Sequence, residues 1–367
     1  MSSRLVNDAK ADKRFSKTLV SFMKDKKNIG DMKEEKENLR VVSLFSGCGG
    51  LDLGFEGGFS YLEKEYPKNN FEIVFANDIV PQACETFKNN FGVIPICEDI
   101  RNILEKKPNI IPDCDIVTGG FPCQDFSLAG KRLGFNSERG LLYQSMKRVI
   151  ELKKPKFFLA ENVKGLLNLG NALETIKNDF KNIFPSYVVT HFLFNAADYG
   201  VPQLRERVLI FGIRKDIYDE LGPYIPPSPT LVKHSWITSE NAIHDLETTN
   251  KNIQHQDKYS KARNYGSHAQ GNKHIKANKP SVTIRAEHHG NIEFHYAQPR
   301  RLTVRECARL QSFPDNFNFH GAPSNVYKQI GNAVPPVLAW HIAKAIQNYL
   351  RGEKCEISVE IQELPLK

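Results

Sequence analysis

The sequence predicts an α/β protein: a doubly wound, mostly parallel sheet joined to a smaller, irregular second domain. Three observations carry that expectation. From Leu39 to Ile213, six strand-like apolar runs (VVSLF, EIVFAND, DIVTGGF, KFFLAENV, YVVTHFLF and RVLIFGI) alternate with segments of helical period such as VPQACETFKNNF and LLYQSMKRVIELKK. Glycine-rich turns follow two of the strands, at FSGCGG and TGGFPC. Between Arg214 and Arg301 the alternation gives way to Pro, Asn, Ser and His, including eight of the eleven histidines, in stretches such as YIPPSPT and HHGNIEFHY. Strand–helix alternation favours parallel strands crossed by helices, with ligands beyond the carboxyl ends of the strands.

Taken in order, residues 1–39 read as a charged extension in which Phe15, Leu19, Phe22 and Met23 recur at helical spacing, consistent with a solvated helix or partly ordered arm or with a DNA-binding extension. Residues 40–213 form the alternating unit. Residues 214–326 form the irregular unit, apart from a helical pattern at 303–312. A last helix, VPPVLAWHIAKAIQNYL, starts after prolines at 334 and is expected to pack back on the sheet, so 327–350 joins the first unit and 351–367 is a tail.

Composition narrows the class. A chain of 367 residues that is 40% hydrophobic and 25% charged has material for two domains of an ordinary soluble protein. No apolar run approaches ~18 residues, and the Lys-rich start lacks a signal peptide's apolar centre, so a cytoplasmic protein without a membrane partner is expected. Seven scattered cysteines without a Cys-x-x-Cys pair suggest reduced thiols, neither a disulfide framework nor a zinc site. The clustered histidines lack companion cysteines or regular ligand spacing, and no metal is expected. A net charge of +8 points to a polyanionic partner.

Chemistry concentrates at Cys123. A buried cysteine is ordinarily a small, inert hydrophobe, but the lead-in CDIVTGGFPC runs a β-branched strand into two glycines and Pro122, a route that aims a side chain out of the sheet's carboxyl edge. At the first strand's end the Gly47-Cys48-Gly49-Gly50 turn lets backbone approach a ligand and opens toward a helix, without the G-x-G-x-x-G spacing of dinucleotide binding. Asp78 in FAND and Asp99 in CEDI stand at strand ends, placed for ribose hydroxyls and an adenine amine. Together they outline a pocket for S-adenosylmethionine.

Six motifs in order, FSGCGG, FPCQDFS, AENVKGL, QLRERVLIFG, RRLTVRECARLQSFPD and QIGNAVPP, resemble those of the bacterial DNA (cytosine-5) methyltransferases, across residues 41–346. The resemblance implies the S-adenosylmethionine-dependent methyltransferase fold with a target-recognition domain, and methylation at C5 of a cytosine flipped from double-stranded DNA. It makes Cys123 the thiolate that adds to C6. It makes Glu161 the group that hydrogen-bonds N3 and the exocyclic amine as charge develops. Arg207 then holds the cytosine O2, Arg205 orders that loop and a neighbouring phosphate, and Asn162 orients the catalytic loop.

For the cofactor, the resemblance places Phe45 near the adenine, Gly47 and Gly49 at the backbone cradle, and Asp78 on the ribose. Asp99 and Ile100 lie toward the adenine, Pro122 beside the nucleophile, and Asn332 at the methionine end. Ile79 stands where the family often has an aromatic ring. Gln124 and Ser127 are candidates to fill the space a flipped base leaves. Within 214–300, Arg285 is the candidate for reading guanine and Lys273 for a phosphate contact. The implied setting is a restriction-modification system with a cognate endonuclease as functional partner, the enzyme acting as a monomer associated with the nucleoid. No side chain is assigned as the base that removes the C5 proton; water is one option. Rival readings are a tRNA substrate, a DNA-binding regulator without catalysis, and a nicotinamide-dependent oxidoreductase. Assays on duplex DNA and tRNA, and nicotinamide binding, discriminate them.

Overall fold

The central strands of the alternating unit are buried on both faces, which is why they read as continuous apolar runs. The computed structural model describes residues 37–121, 142–248, 253–262, 273–286 and 291–353. The first strand, β1 (Leu39–Leu44), leads to a short helix α1 (Gly50–Glu56), a hairpin of β2 (Phe59–Tyr61) and β3 (Lys64–Tyr66), and then β4 (Phe71–Asp78). Helix α2 (Pro81–Asn90), β5 (Ile96–Cys97), α3 (Ile100–Lys106) and β6 (Ile116–Gly119) follow. Beyond come α4 (Leu142–Lys153), β7 (Phe157–Val163), α5 (Ala172–Lys181), β8 (Tyr187–Asn195), β9 (Gln203–Leu204) and β10 (Glu206–Arg214).

These strands build a seven-stranded sheet in the order β5-β4-β1-β6-β7-β10-β8. Pairing is parallel from β5 through β7; β10 runs antiparallel to both β7 and β8. Side chains alternate between two cores. Val42, Val117, Phe158 and Val208 face the core built with α3, α4 and α5. Val41, Ile116, Phe157 and Leu209 face the one shared with α1 and the C-terminal helix α11 (Pro336–Leu350). The fold expectation holds, and all six runs read as strands are strands. The two-residue β5, the β2–β3 hairpin and the antiparallel sense of β10 go beyond it.

The reversal of β10 positions the site. Arg207 pairs with Val163 at the finishing end of β7, and Ile213 pairs with Phe157 at its starting end. The start of β10 therefore stands at the edge where the parallel strands end, and the chain leaves β10 at the opposite edge. After α6 (Lys215–Leu221) it returns as a proline-containing strap. Tyr224 packs against Phe157 and Phe211, Tyr199 Oη donates to Pro227 O (2.8 Å), and Thr230 N and Leu231 N donate to Asp198 O (2.9 and 3.0 Å).

Regular structure is sparse in the segment that follows: α7 (Ser239–Ile243), α8 (Asp245–Thr248) and β11 (Ser281–Val282), which pairs in parallel with β9. Helix α9 (Val304–Leu310) is buried along its whole length. Thr303 caps it, its hydroxyl accepting from Glu306 N while Glu306 reaches back to Thr303 N. Three residues, 333–335, separate helix α10 (Pro323–Asn332) from α11. No helix among the described residues is long and apolar enough to cross a membrane.

Candidate active site

At the carboxyl edge, β7 and β10 bring an acid and a base into contact. Glu161 and Arg207 form an ion pair at 2.7 Å, with side chains only 12% and 11% exposed. Burial pushes the Arg207 guanidinium down from its usual range, and the Glu161 carboxylate opposes that shift. Gly120, at the end of β6, lies against this pair: a Cβ there would stand 3.0 Å from Glu161 Oε2. The chain thus passes Glu161 just before it enters the FPCQDFS segment. Asn162 ties the two together, its Nδ2 donating to Phe121 O at 3.3 Å and its Oδ1 accepting from Val163 N. Pro122, Cys123, Gln124 and Ser127 lie outside the described residues.

Arg205 differs from its neighbour. It is 1% exposed, and its guanidinium donates to Ile284 O (2.9 Å), Gly331 O (2.8 Å) and Ala333 O (2.9 Å). Burial pushes its pKa well down, and Arg207 adds to the shift. The ordering expected of Arg205 has a counterpart in these bonds. The phosphate contact expected of it has none, because the carbonyls enclose the guanidinium.

The second half of the site lies across β1. Phe45 (φ 53°) and Gly47 (φ 56°) turn the chain sharply, and Gly49 (φ 89°) is the N-cap of α1. Positive φ is tolerated readily by glycine and strains Phe45. Asp78 organises this turn: its Oδ2 accepts from Gly47 N (2.8 Å) and its Oδ1 from Val80 N (2.9 Å). Burial pushes the Asp78 carboxyl up, and these backbone N–H groups oppose the shift. Nothing lies within 4 Å of where a Gly47 Cβ would stand, so open space adjoins this backbone.

Asp99 stands just beyond the carboxyl end of β5 and caps α3, accepting from Arg101 N (2.9 Å). Arg101 also grips its carboxylate with Nε and Nη2, which holds Asp99 below the usual carboxylate range. Ile79 is 62% exposed, whereas Ile100 is buried. Asn332, at the end of α10, is exposed. Arg285 and Lys273 are both exposed in the irregular segment. Lys273 N donates to Glu293 Oε2, and the Arg285 backbone packs on Gly331, where an added Cβ would sit 2.2 Å from Arg285 C.

Structure brings together Glu161, Arg207, Asn162 and Gly120, and separately Phe45, Gly47 and Asp78. Sequence reasoning missed Arg101, whose signal was its place two residues after Asp99, and Gln203. The latter is fully buried, donates to Leu310 O (3.0 Å) and Gln311 Oε1 (2.5 Å), and accepts from Ile284 N (3.0 Å). Among the described residues no cluster of three or more His, Cys, Asp or Glu side chains is placed to hold a metal ion.

A family model described as C-5 cytosine-specific DNA methylase matches residues 39–348. The Type II methyltransferase M.NgoFVII of Neisseria gonorrhoeae is 38% identical, over 92% of this chain and 96% of its own. The Type II methyltransferase M.NgoPII of the same organism is 37% identical, over 85% and 96%. Among solved structures, a prophage-encoded E. coli protein described as a DNA modification methyltransferase aligns with a TM-score of 0.63 at 24% identity, covering 86% of this chain and all of that one.

Proposed function

The chain belongs to the bacterial type II family of C-5 cytosine-specific DNA methylases, and from that premise we propose that it methylates C5 of a cytosine flipped out of a specific duplex sequence, with Cys123 as nucleophile. The observation that carries this reading is the buried Glu161–Arg207 pair beside Gly120, three residues before Cys123. Burying an ion pair costs desolvation, and perturbed charged groups gather at functional sites, which in such sheets lie at the carboxyl edge.

In this reading the Cys123 thiolate adds to C6, which turns C5 into a nucleophilic enamine carbon. A proton shared between Glu161 and N3 neutralises the charge that the addition places on the ring, while the other carboxyl oxygen accepts from the exocyclic amine. Arg207 holds O2 beside Glu161, so the pair grips adjacent positions on one edge of the base. Asn162 holds Phe121 O and so sets the start of the catalytic loop against β7. Once C5 carries the methyl group, its proton passes to a base, for which water is one option, and the electrons of that C–H bond re-form the C5–C6 double bond and expel the Cys123 thiolate. Base flipping is required because C6 is inaccessible within a stack, and extrusion costs a few kcal/mol.

S-adenosylmethionine supplies an electrophilic sulfonium methyl when bound. The residues fit it: open space beside Gly47 admits a ligand against the backbone, and Asp78, already oriented by Gly47 N and Val80 N, is placed for ribose hydroxyls. Phe45 and the exposed Ile79 flank the adenine, Asp99 and Ile100 lie beyond it, Pro122 adjoins the nucleophile, and Asn332 closes the methionine end. Arg205 acts by positioning.

Residues 40–213 with 327–350 form the catalytic unit and 214–326 the target-recognition unit. There Arg285 reads a base and Lys273 meets a phosphate, with Gln124 and Ser127 filling the vacated stack. Acting as a monomer with a cognate endonuclease as functional partner, the enzyme protects nucleoid DNA. Bisulfite sequencing of DNA from a host expressing the protein tests this: converted and protected cytosines reveal the site, and a genome without protected cytosines overturns the reading. Parallel incubation with duplex DNA and tRNA separates the two polynucleotide substrates.

A further inference from the structure

Three segments far apart in sequence meet at one buried guanidinium. Arg205 lies two residues before Arg207, between β9 and the base-holding strand β10. Its Nη1 takes Ile284 O in the irregular segment, and its Nη2 takes Gly331 O and Ala333 O, the carbonyls on either side of Asn332. The last two belong to the C-terminal end of α10, where free carbonyls and the helix dipole favour a cation.

Neighbouring bonds reinforce the junction. Gln203 holds Ile284 N (3.0 Å), and Gln311 Nε2 donates to the same Ala333 O (2.6 Å). Strand β11 lies along β9, and Thr283 Oγ1 donates to Leu204 O at 2.7 Å. Gly331 leaves no room for a side chain between itself and the Arg285–Ala286 peptide. A guanidinium presents its donors in a rigid planar fork, so the three carbonyls are registered against one another. Displacing either segment strands a buried polar group.

Resting on the methylase reading above, we propose that Arg205 is the positioning residue that couples the two ligands: an occupied cofactor end at Asn332 fixes the 281–286 segment for DNA, and bound DNA fixes the cofactor end in return. Coupling of this kind is reciprocal by necessity. The chemistry is a fixed cation shared among carbonyls from both binding surfaces, which neither surface satisfies alone.

The test uses the full chain, duplex DNA carrying its mapped site, and S-adenosylhomocysteine as an unreactive probe. In the wild type, the probe should tighten DNA binding by about 5- to 150-fold, and DNA should tighten the probe by the same factor. Arg205→Lys keeps the charge and loses the fork. Its coupling factor should fall below about twofold while probe affinity without DNA stays within roughly threefold of wild type, a pattern that a generally loosened fold does not give.

Thr283→Val removes an exposed bond and leaves Arg205 in place, so it decides the matter if Arg205→Lys does not fold; its coupling should fall measurably below wild type. Full coupling in every variant that folds, or equal losses in both binary affinities with coupling retained, overturns the proposal. Wild-type protein that binds both ligands without coupling overturns it alone. Wild-type protein that binds neither overturns the methylase reading.

Discussion

In β7 and β10 the backbone groups are spent on each other, from Arg207 against Val163 to Ile213 against Phe157. Between residues 254 and 317 many carbonyls are instead taken by arginine side chains of α9 and its approach. Arg305 donates to Gln254 O (3.0 Å), Pro314 O (3.1 Å) and Phe317 O (3.0 Å); Arg301 donates to Ala262 O (3.0 Å) and Ile292 O. Arg300 holds Glu306 with both Nη atoms, and Arg309 holds Asp315 with Nε and Nη2.

A ladder constrains every residue it contains, because each position must fit the pleat. Arginine clamps constrain only the clamp, since any residue type offers the carbonyl it needs. The sheet edge can thus hold one chemistry while the loop residues of the irregular segment stay free to change. That is the physical reason the RRLTVRECARLQSFPD motif organises structure.

The contrast can be broken most severely at the sheet edge. Cys123→Ser should bring methylation below detection on every DNA sequence, because a hydroxyl is far less ionised than a thiol. DNA containing 5-fluorocytosine, whose fluorine cannot leave as a proton does, should trap the wild type covalently and leave the variant untrapped on a denaturing gel. Glu161→Gln should lower the single-turnover rate by about 10²–10³-fold, the loss typical of one group that stabilises developing charge. If its effect depended on the DNA sequence, chemistry and recognition would not be separable.

A clamp is the next target. Arg305→Leu should destabilise the protein by about 3 kcal/mol or more in urea titrations, because three buried carbonyls lose their donor. A change below about 1 kcal/mol would mean that the loops hold themselves.

Asp52 probes the sheet side by pH. It is buried in the first turn of α1, its carboxylate oxygens lack well-formed hydrogen bonds, and burial pushes its pKa up to about 7, with the Ser43 hydroxyl compensating in part. A carboxyl near pKa 3.9 when unfolded and about 7 when folded takes up protons on folding. Stability from this group is therefore complete below about pH 4 and is lost as pH rises through about 7. Asp52→Asn should stabilise the protein by about 2–4 kcal/mol at pH 8 and by far less at pH 4.5. Thermal melts across that range check it, and a pH-independent difference would refute the assignment.

The smallest effects belong to the recognition side. Arg285→Ala should cost about 1–3 kcal/mol at one base position, while Lys273→Ala should weaken all sequences alike and lower the salt slope by about 1. Replacing residues 214–300 by a relative's segment should move the methylated site, and methylation mapping of the chimera reads it directly.

Much of the sheet was legible because strands covered on both faces must be apolar throughout, as VVSLF and KFFLAENV are. The short β5 and the β9–β11 pair were not legible: two residues carry no period, and Val282 meets Leu204 across 77 intervening positions. The direction of β10 leaves no mark in its composition either. At the site, Glu161 and Arg207 were legible from the company they keep in AENV and Q-x-R-x-R. The enclosure of Arg205 was not, since its partners are carbonyls of Ile284, Gly331 and Ala333, and a carbonyl looks the same in every sequence.

The strap from Gly222 to Leu231 bears on where such a protein can be taken apart and rejoined. Tyr224 is seated on the sheet core, Pro227 accepts from Tyr199, and Asp198 receives Thr230, Leu231 and the Trp236 indole. These ten residues climb from one edge of the sheet to the other, already docked before any recognition residue is reached. A graft cut at Arg214 exchanges this docked stretch along with the reader, and the incoming strap must find the same seats. A joint placed after Trp236 would leave the strap with its host, so the natural seam of the module lies some twenty residues downstream of the point where the sheet's sequence pattern stops.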